Sequence, residues 1–334
     1  GVQHSVSALF DSAEIYFQKG LYLAKQIKEK KEEAGFYSDI SEINRKRGNY
    51  PIAAEYAIHS LKLKEAIGDS LGMAISFNNL GMIFRLKKEY EKSLEYHFKA
   101  IALKKVEIIK SPTNYAYSNL GYSFGNIANV YYGMGQYDKA ISYCEEAVKL
   151  YKKGGNTSAL GATLSNLGVM YEEAGNASKA LVYYLEALAI KEKTGNKEDL
   201  ATSYINLGGL YSATDLSKGE KYVMKGYLLA KKANFKEFEK EGALALADLY
   251  SLKEEYKKAY EYHLIYSTLK DSILGEQSHL QITEMETKYE TEKKDKENFV
   301  LKTKNEVQKL ESEKKDAEIG KQKIIIALVL LVSY

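Results

Sequence analysis

Three residue types are scarce in this chain of 334: cysteine occurs once, proline twice and tryptophan not at all. The lone Cys144 excludes an intrachain disulfide and a cysteine-rich zinc site. Two prolines over such a length leave few forced breaks, which suits long helices joined by short turns. Charge of one sign is lacking as well. The 48 basic side chains against 45 acidic ones give a net +3, with none of the clustered basic surface that nucleic acid requires, so no nucleic acid is expected to bind this segment. No charged segment followed by an apolar core opens the chain, so a secretory signal is not read from it. What is present is 45% hydrophobic and 28% charged residues, the composition of a folded protein. Tyrosine, at 29 copies, is in such excess that it asks for a repeated structural position.

Aligning the chain with itself finds that position. Asn79-Leu80-Gly81-Met82-Ile83-Phe84 recurs as Asn126-Ile127-Ala128-Asn129-Val130-Tyr131, as Asn166-Leu167-Gly168-Val169-Met170-Tyr171 and as Asn206-Leu207-Gly208-Gly209-Leu210-Tyr211. Weaker copies lie at Ile40-Ser41 through Asn44 and at Leu246-Ala247 through Tyr250. The small residues at 41, 81, 128, 168, 208 and 247 are separated by 40, 47, 40, 40 and 39. A second small residue follows twelve later, at Ala53, Ser93, Ala140, Ala180 and Ala259, and one residue early at Gly219, where the inter-helix turn is expected to be shortened. A third comes seven after that, at Ser60, Ala100, Ala147, Ala187 and Gly226. The seven-residue excess around Lys110 to Ser118 should enlarge one loop or lengthen one helix.

Close helix crossing explains the spacing. In each unit helix A carries Leu-Gly-x-x-Tyr and helix B carries the two later small residues. A glycine inside a helix costs about 1 kcal/mol against alanine, so its repetition needs a packing reason: without Cβ bulk two helices approach closely. Gly48-Asn49, Gly135-Gln136 and Gly175-Asn176 mark the turns from A to B, and Gly68-Asp69, Gly155-Asn156 and Gly195-Asn196 those from B to the next A. Glycine suits the left-handed position after a helix, and Asn or Asp the next N-cap. Pro51 and Pro112 both fall where a helix should begin.

This order of Leu-Gly-x-x-Tyr, Ala and Ala resembles the tetratricopeptide repeat over roughly residues 5 to 275. The standard unit of that family is 34 residues, and the 40-residue units with lengthened B helices are similar to the long-repeat subclass of kinesin light chains and bacterial regulators. The resemblance implies an all-α, right-handed superhelix over residues 1–275, an opening helix followed by about six helix pairs, with helix A lining the concave face. It also implies that Asn79, Asn126, Asn166 and Asn206, with Asn129 three residues beyond Asn126, line a groove and hydrogen-bond the backbone of a peptide or protein ligand. An amide offers donors and an acceptor to match a peptide unit of any sequence. The other reading of these asparagines is that each ties neighbouring helices together. Arg85, Tyr122, Tyr132 and Glu172 are the neighbours expected to set specificity.

No catalytic constellation, cofactor motif or metal set is found. His97 and His263 take the aromatic position of helix B, where a packed or half-exposed histidine is expected rather than a base. His4, His59 and His279 stand alone without a partner at ligand spacing. Cys144 shares the His97 position and should be a small buried hydrophobe. The chain as given is therefore expected to be non-enzymatic.

From about Glu276 the repeats stop. Residues 276–323 read as a charged helical stalk with a weak heptad track through Ile282, Met285, Tyr289 and Phe299, continuing after a slip through Val300, Val307, Leu310 and Ala317. A homodimer through this stalk is expected, with a single solvated helix as the alternative. Residues 324–332 are uninterruptedly apolar after Lys321 and Lys323, about half of the 20 or so that a bilayer needs. They read as the start of a truncated transmembrane helix at 324–334, with a short anchor or the end of a coiled coil as the alternative. Repeats, a Lys-Tyr-Glu-Thr-Glu-Lys-Lys stalk and a membrane helix together resemble the sensory region of bacterial membrane-bound regulators, whose output is a histidine kinase or a DNA-binding region. That implies attachment to a bacterial inner membrane and a signalling role, with periplasmic repeats expected and cytoplasmic repeats as the alternative. A membrane-tethered adaptor without an output domain is the alternative.

Overall fold

The computed structural model describes the backbone of residues 2–332, and the side chains of 13–275 together with those at 294, 296–309, 311–315 and 320. Among the described residues every element is an α-helix: α1 (Val2–Gln26), α2 (Lys30–Lys46), α3 (Tyr50–Ala66), α4 (Ser70–Leu86), α5 (Tyr90–Lys110), α6 (Asn114–Gly133), α7 (Tyr137–Gly154), α8 (Thr157–Glu173), α9 (Ala177–Thr194), α10 (Lys197–Ser212), α11 (Leu216–Ala233), α12 (Lys236–Leu252) and α13 (Tyr256–Val332). The chain divides into two compact units, Gly1–Ile273 and Leu274–Tyr334.

In the first unit, α2, α4, α6, α8, α10 and α12 are the A helices. Each A helix from α2 to α10 packs chiefly on the B helix that follows it, and that B helix packs on the next A helix. The pairs stack into a superhelical array whose largest apolar cluster runs from Ala128 on α6 to Leu210 on α10, shared between neighbours because no single pair can bury its own apolar face.

The crossings are built as the spacing requires. A Cβ on Gly168 would lie 2.5 Å from the Tyr184 ring, and one on Gly81 2.5 Å from the His97 ring. A small residue on helix A thus makes room for a large one on helix B. The tyrosines form a repeated stack: Phe84 on Tyr96, Tyr131 on Tyr143, Tyr171 on Tyr183, Tyr211 on Tyr222 and Tyr250 on Tyr262, with centroids 5.4 to 5.6 Å apart. In these five repeats the lysine preceding the second small residue lies over the first ring, for instance Lys179 over Tyr171 at 4.8 Å and Lys258 over Tyr250 at 4.9 Å. Each such ring pair contributes about 1 kcal/mol beyond its buried area.

All six turn glycines are left-handed, with φ from +66° to +81°. Asp69, Asn156, Asn176 and Asn196 cap their helices with side-chain oxygens, whereas Asn49 and Gln136 make no side-chain cap. Pro51 sits in the first turn of α3, but Pro112 precedes the cap residue Thr113 and lies outside α6. The seven-residue excess goes into helix: α5 has 21 residues and α6 has 20, against 17 for both α4 and α8. The early Gly219 is also accommodated by helix rather than by the turn. Three residues join α10 to α11 as they join α8 to α9, and α10 itself is one residue shorter than α8.

In the second unit, helix α13 continues through residues 274–332. Phe299, Val300, Leu301 and Val307 are exposed on it. Ile282, Met285, Tyr289, Leu310 and Ala317 of the expected heptad track have side chains outside the described residues. Among the described residues no helix is long and apolar enough to cross a membrane, and the side chains of the apolar run 324–332 lie outside the described residues.

Candidate functional site: the face of the A helices

Each A helix carries one stripe that packs on neither partner in its own pair. Successive A helices touch one another along this side, α2 with α4, α4 with α6, α8 with α10 and α10 with α12, whereas no two B helices touch to a comparable extent. The array therefore curves with the A helices on the inside. Residues two before and one after each small residue fall on this inner stripe, because they are three apart on one helix face.

The structure places Asn79, Asn129 and Asn206 half-buried on it and Asn166 exposed. Among the described residues none of these four amides hydrogen-bonds to any other group of the protein, so they do not tie helices together. Their neighbours show the contrast. Asn78, one residue from Asn79, is buried, donates to Ser123 Oγ at 2.8 Å and pairs with His97 Nδ1 at 3.0 Å. Asn44 donates to the Ile40 carbonyl. Asn126 departs from the other ladder positions: only 9% exposed, it has an Nδ2 that is buried and without a partner.

The other expected groove residues separate into two places. Tyr122 is exposed, with its hydroxyl 3.1 Å from Met82 Sδ across the α4–α6 gap. Tyr132 and Glu172 come together near the turns from A to B. Burial first, then the charges of Glu173 and Glu172, raise the Tyr132 phenol above its ordinary pKa. Glu172 already accepts from Tyr184 Oη at 2.7 Å within its own pair, and desolvation and that bond push the Tyr184 phenol far up. Arg85 is half-buried on α4, close enough to His97 to disfavour its protonation.

His97 is fully buried. Burial, then Arg85 and Lys104, lower it to about 3, so it stays neutral. His263 is exposed beside Tyr266, and His59 stacks on Tyr37 at 5.2 Å. The side chains of His4 and His279 are outside the described residues. Cys144 is buried, its thiol 3.6 Å from the Thr163 carbonyl, and burial pushes it up to about 12. It is thus an inert packing group.

A second set of polar residues lies behind the ladder and escapes sequence reasoning. Lys64, Lys104 and Lys191, each four residues after the third small residue of its repeat, are buried. Lys64 Nζ donates to Ser38 and Ser76 Oγ at 2.9 and 3.0 Å, and Lys191 Nζ to Ser165 and Ser203 Oγ at 2.8 and 3.1 Å. Each bond pair joins the A helix of one repeat to that of the next. Burial lowers both lysines, offset by Asp69 and Asp39 around Lys64 and by Asp199 near Lys191. Lys104 instead donates to Ser123 Oγ and the Asn119 carbonyl, both at 2.9 Å, and burial alone brings it down to about 8. The fixed position of these lysines in the repeat was the available signal.

Residues 32–105 and 119–193 match the tetratricopeptide-repeat family. They account for less than half of the chain, and in them the helix pairs are tetratricopeptide repeats. No curated protein sequence matches the chain. Solved structures share the fold at low identity. A signal transduction ATPase with a tetratricopeptide repeat sensor from Pyrococcus horikoshii is 22% identical with a TM-score of 0.62, over 80% of this chain and 43% of that one. The apo form of RapI is 18% identical with a TM-score of 0.58, over 79% of this chain and 99% of RapI. A Rap protein complexed with competence and sporulation factor is 14% identical with a TM-score of 0.55, over 80% and 88% of the two chains.

Proposed function

We propose that the inner face of the A helices is a groove for an extended segment of a peptide or protein ligand, and that the repeats act by binding rather than by catalysis. One observation carries the reading: Asn79, Asn129, Asn166 and Asn206 recur on one face and, among the described residues, have no hydrogen-bond partner within the protein. Amides held at repeat spacing without partners match the alternating donors and acceptors of an extended backbone. Folds similar to this one include a tetratricopeptide repeat sensor and a protein solved in complex with competence and sporulation factor, which is support by analogy of fold.

The larger setting follows the tail. With the stalk at 276–323 pairing two copies and the apolar run 324–334 entering a bacterial inner membrane, the repeats would be the periplasmic input region of a membrane-bound regulator. Ligand in the groove would then alter stalk pairing. An adaptor that only recruits partners to the membrane is the second reading.

The test is the double variant Asn166→Leu with Asn206→Leu, assayed against peptides selected by the parent protein from a displayed random library. Both side chains lie on the inner face without partners, so helicity and melting should stay those of the parent while binding is abolished. Unchanged affinity would remove the groove assignment.

A further inference from the structure

The groove is not uniform along its length, and one of its ribs has too many donors. On α6 the inner stripe reads Asn119, Tyr122, Asn126 and Asn129 at spacings of three, four and three, one face of the helix. The flanking ribs each carry a single asparagine between apolar or small residues: Ile75, Asn79 and Met82 on α4, Ala162, Asn166 and Val169 on α8. Among the described residues three buried side-chain nitrogens lack any partner, and all three lie at the junction of α4, α5 and α6: Asn119 Nδ2, Asn126 Nδ2 and His97 Nε2.

The His97 atom is accounted for inside the protein. Asn78 Nδ2 donates to Ser123, so Asn78 Oδ1 accepts from His97 Nδ1–H, which leaves Nε2 as an unprotonated acceptor in a fully buried ring. The two amide nitrogens are different: they are donors with nothing to donate to. Beside them is the Lys104 ammonium, 5.9 Å from the centre of the Tyr122 ring and without the carboxylate neighbour that Lys64 and Lys191 each have. Arg45 of α2, which also interacts electrostatically with Tyr122, is already paired with Glu42 at 2.6 and 2.8 Å. The free charge and the unused donors of this rib are therefore those of Lys104, Asn119 and Asn126, beside Tyr122, whose hydroxyl is held only by a thioether sulfur, a weak acceptor.

We infer that the α6 rib is the anchoring subsite of the groove and takes a carboxylate, the side chain of an Asp or Glu in the ligand, with Tyr122 as the movable cover over Asn119 and Asn126. This rests on the groove reading above. Neighbouring helix axes lie about 10 Å apart, and an extended chain advances about 3.3 Å per residue, so adjacent ribs meet every third residue or so. The ligand then has an acidic residue flanked three positions away on both sides by apolar residues, which lie over Ile75 and Met82 in one direction and over Ala162 and Val169 in the other.

The experiment is selection of a displayed random dodecapeptide library on the first unit in its full chain, repeated on Lys104→Met and on Asn126→Asp. The expected result is an Asp or Glu fixed in the selected peptides, with apolar residues three away on each side. Synthetic peptide of that sequence should bind Lys104→Met about tenfold to a hundredfold more weakly, the loss of a charged hydrogen-bonding partner. Asn126→Asp, which exchanges a donor for an acceptor charge at nearly constant shape, should replace the acidic preference with a basic one, and this keeps the test decisive if Lys104→Met folds poorly. Selected peptides without an acidic position, bound equally by both variants, would overturn the subsite and leave the groove standing. Failure to select any peptide, or peptides indifferent to Asn166→Leu with Asn206→Leu, would overturn both.

Discussion

Two junctions of the array use the same device to different ends. Between the α8–α9 and α10–α11 pairs, Lys191 binds two serines, Asp199 lies in its field, and among the described residues no buried side-chain nitrogen or oxygen of that junction is left without a partner. Between the α4–α5 and α6–α7 pairs, Lys104 binds one serine and one carbonyl, has no acidic neighbour, and lies beside two idle amide donors. A buried polar group that finds its partners holds a structure in one register, and one left idle costs about 1–3 kcal/mol and calls for an explanation. The first junction holds the stack. The second has the same scaffold but keeps its donors and its charge uncommitted, which is the condition for binding something else.

The largest effect expected is inside the α8–α9 pair, which forms one side of the satisfied junction. Gly168→Leu places a side chain where even a Cβ meets the Tyr184 ring at 2.5 Å. Overpacking should destabilise the repeat by about 3 kcal/mol, read as a lowered chemical-denaturation midpoint. A variant unfolding like the parent would show that Gly168 is not at the crossing.

Lys104→Met separates the two junctions directly. Keeping a lysine charged at pH 7 with a folded pKa of about 8 in place of 10.5 costs about 3 kcal/mol. Loss of its two hydrogen bonds offsets part of that, for a net stabilisation of about 1–2 kcal/mol. Lys191→Met should gain less, because Asp199 already offsets the burial of that charge. The pH dependence has a definite sign. The folded pKa is depressed, so the folded state binds fewer protons than the unfolded one above about pH 8. Stability of the parent should therefore rise between pH 8 and 10.5 relative to Lys104→Met, and a constant difference across that window would remove the claim that Lys104 is buried charged.

The smallest effect lies in a turn. Gly175 joins α8 to α9 with φ +77°, and Lys88 takes the equivalent left-handed position between α4 and α5 with φ +61°. Lys88→Gly should raise stability by about 0.5–1 kcal/mol in the same denaturation assay, since the strained residue is relieved at a position glycine adopts freely.

The repeat period, the crossing glycines, the six left-handed turns and the purpose of the tyrosine excess were all legible in the sequence, because each is a local signal repeated in register. Gly81 and Gly168 announce their crossings within one helix turn of the residues that define them. The lysine clasps were not legible. Lys64 at the end of α3 looks like a solvated charge near a helix C-terminus, and its partners Ser38 and Ser76 are 26 and 12 residues away on two other helices. Of the ladder, the face was legible but the burial of Asn126 was not, since it depends on what covers α6 in three dimensions. Arg85 and Glu172 are the residues expected to set specificity in the groove. In the fold Arg85 lies near His97, and Glu172 is bonded to Tyr184, a partnership within its helix pair that spacing alone does not specify.

The most direct measurement is the side-chain amide NMR spectrum of the asparagines as a library-selected peptide is added. Asn78 and Asn79 are adjacent in sequence but differ in the one property that matters here, a hydrogen-bond partner inside the protein. The account predicts that the resonances of Asn79, Asn126, Asn166 and Asn206 shift in a saturable way while that of Asn78 does not. Saturable binding that leaves all four ladder amides unmoved would contradict it.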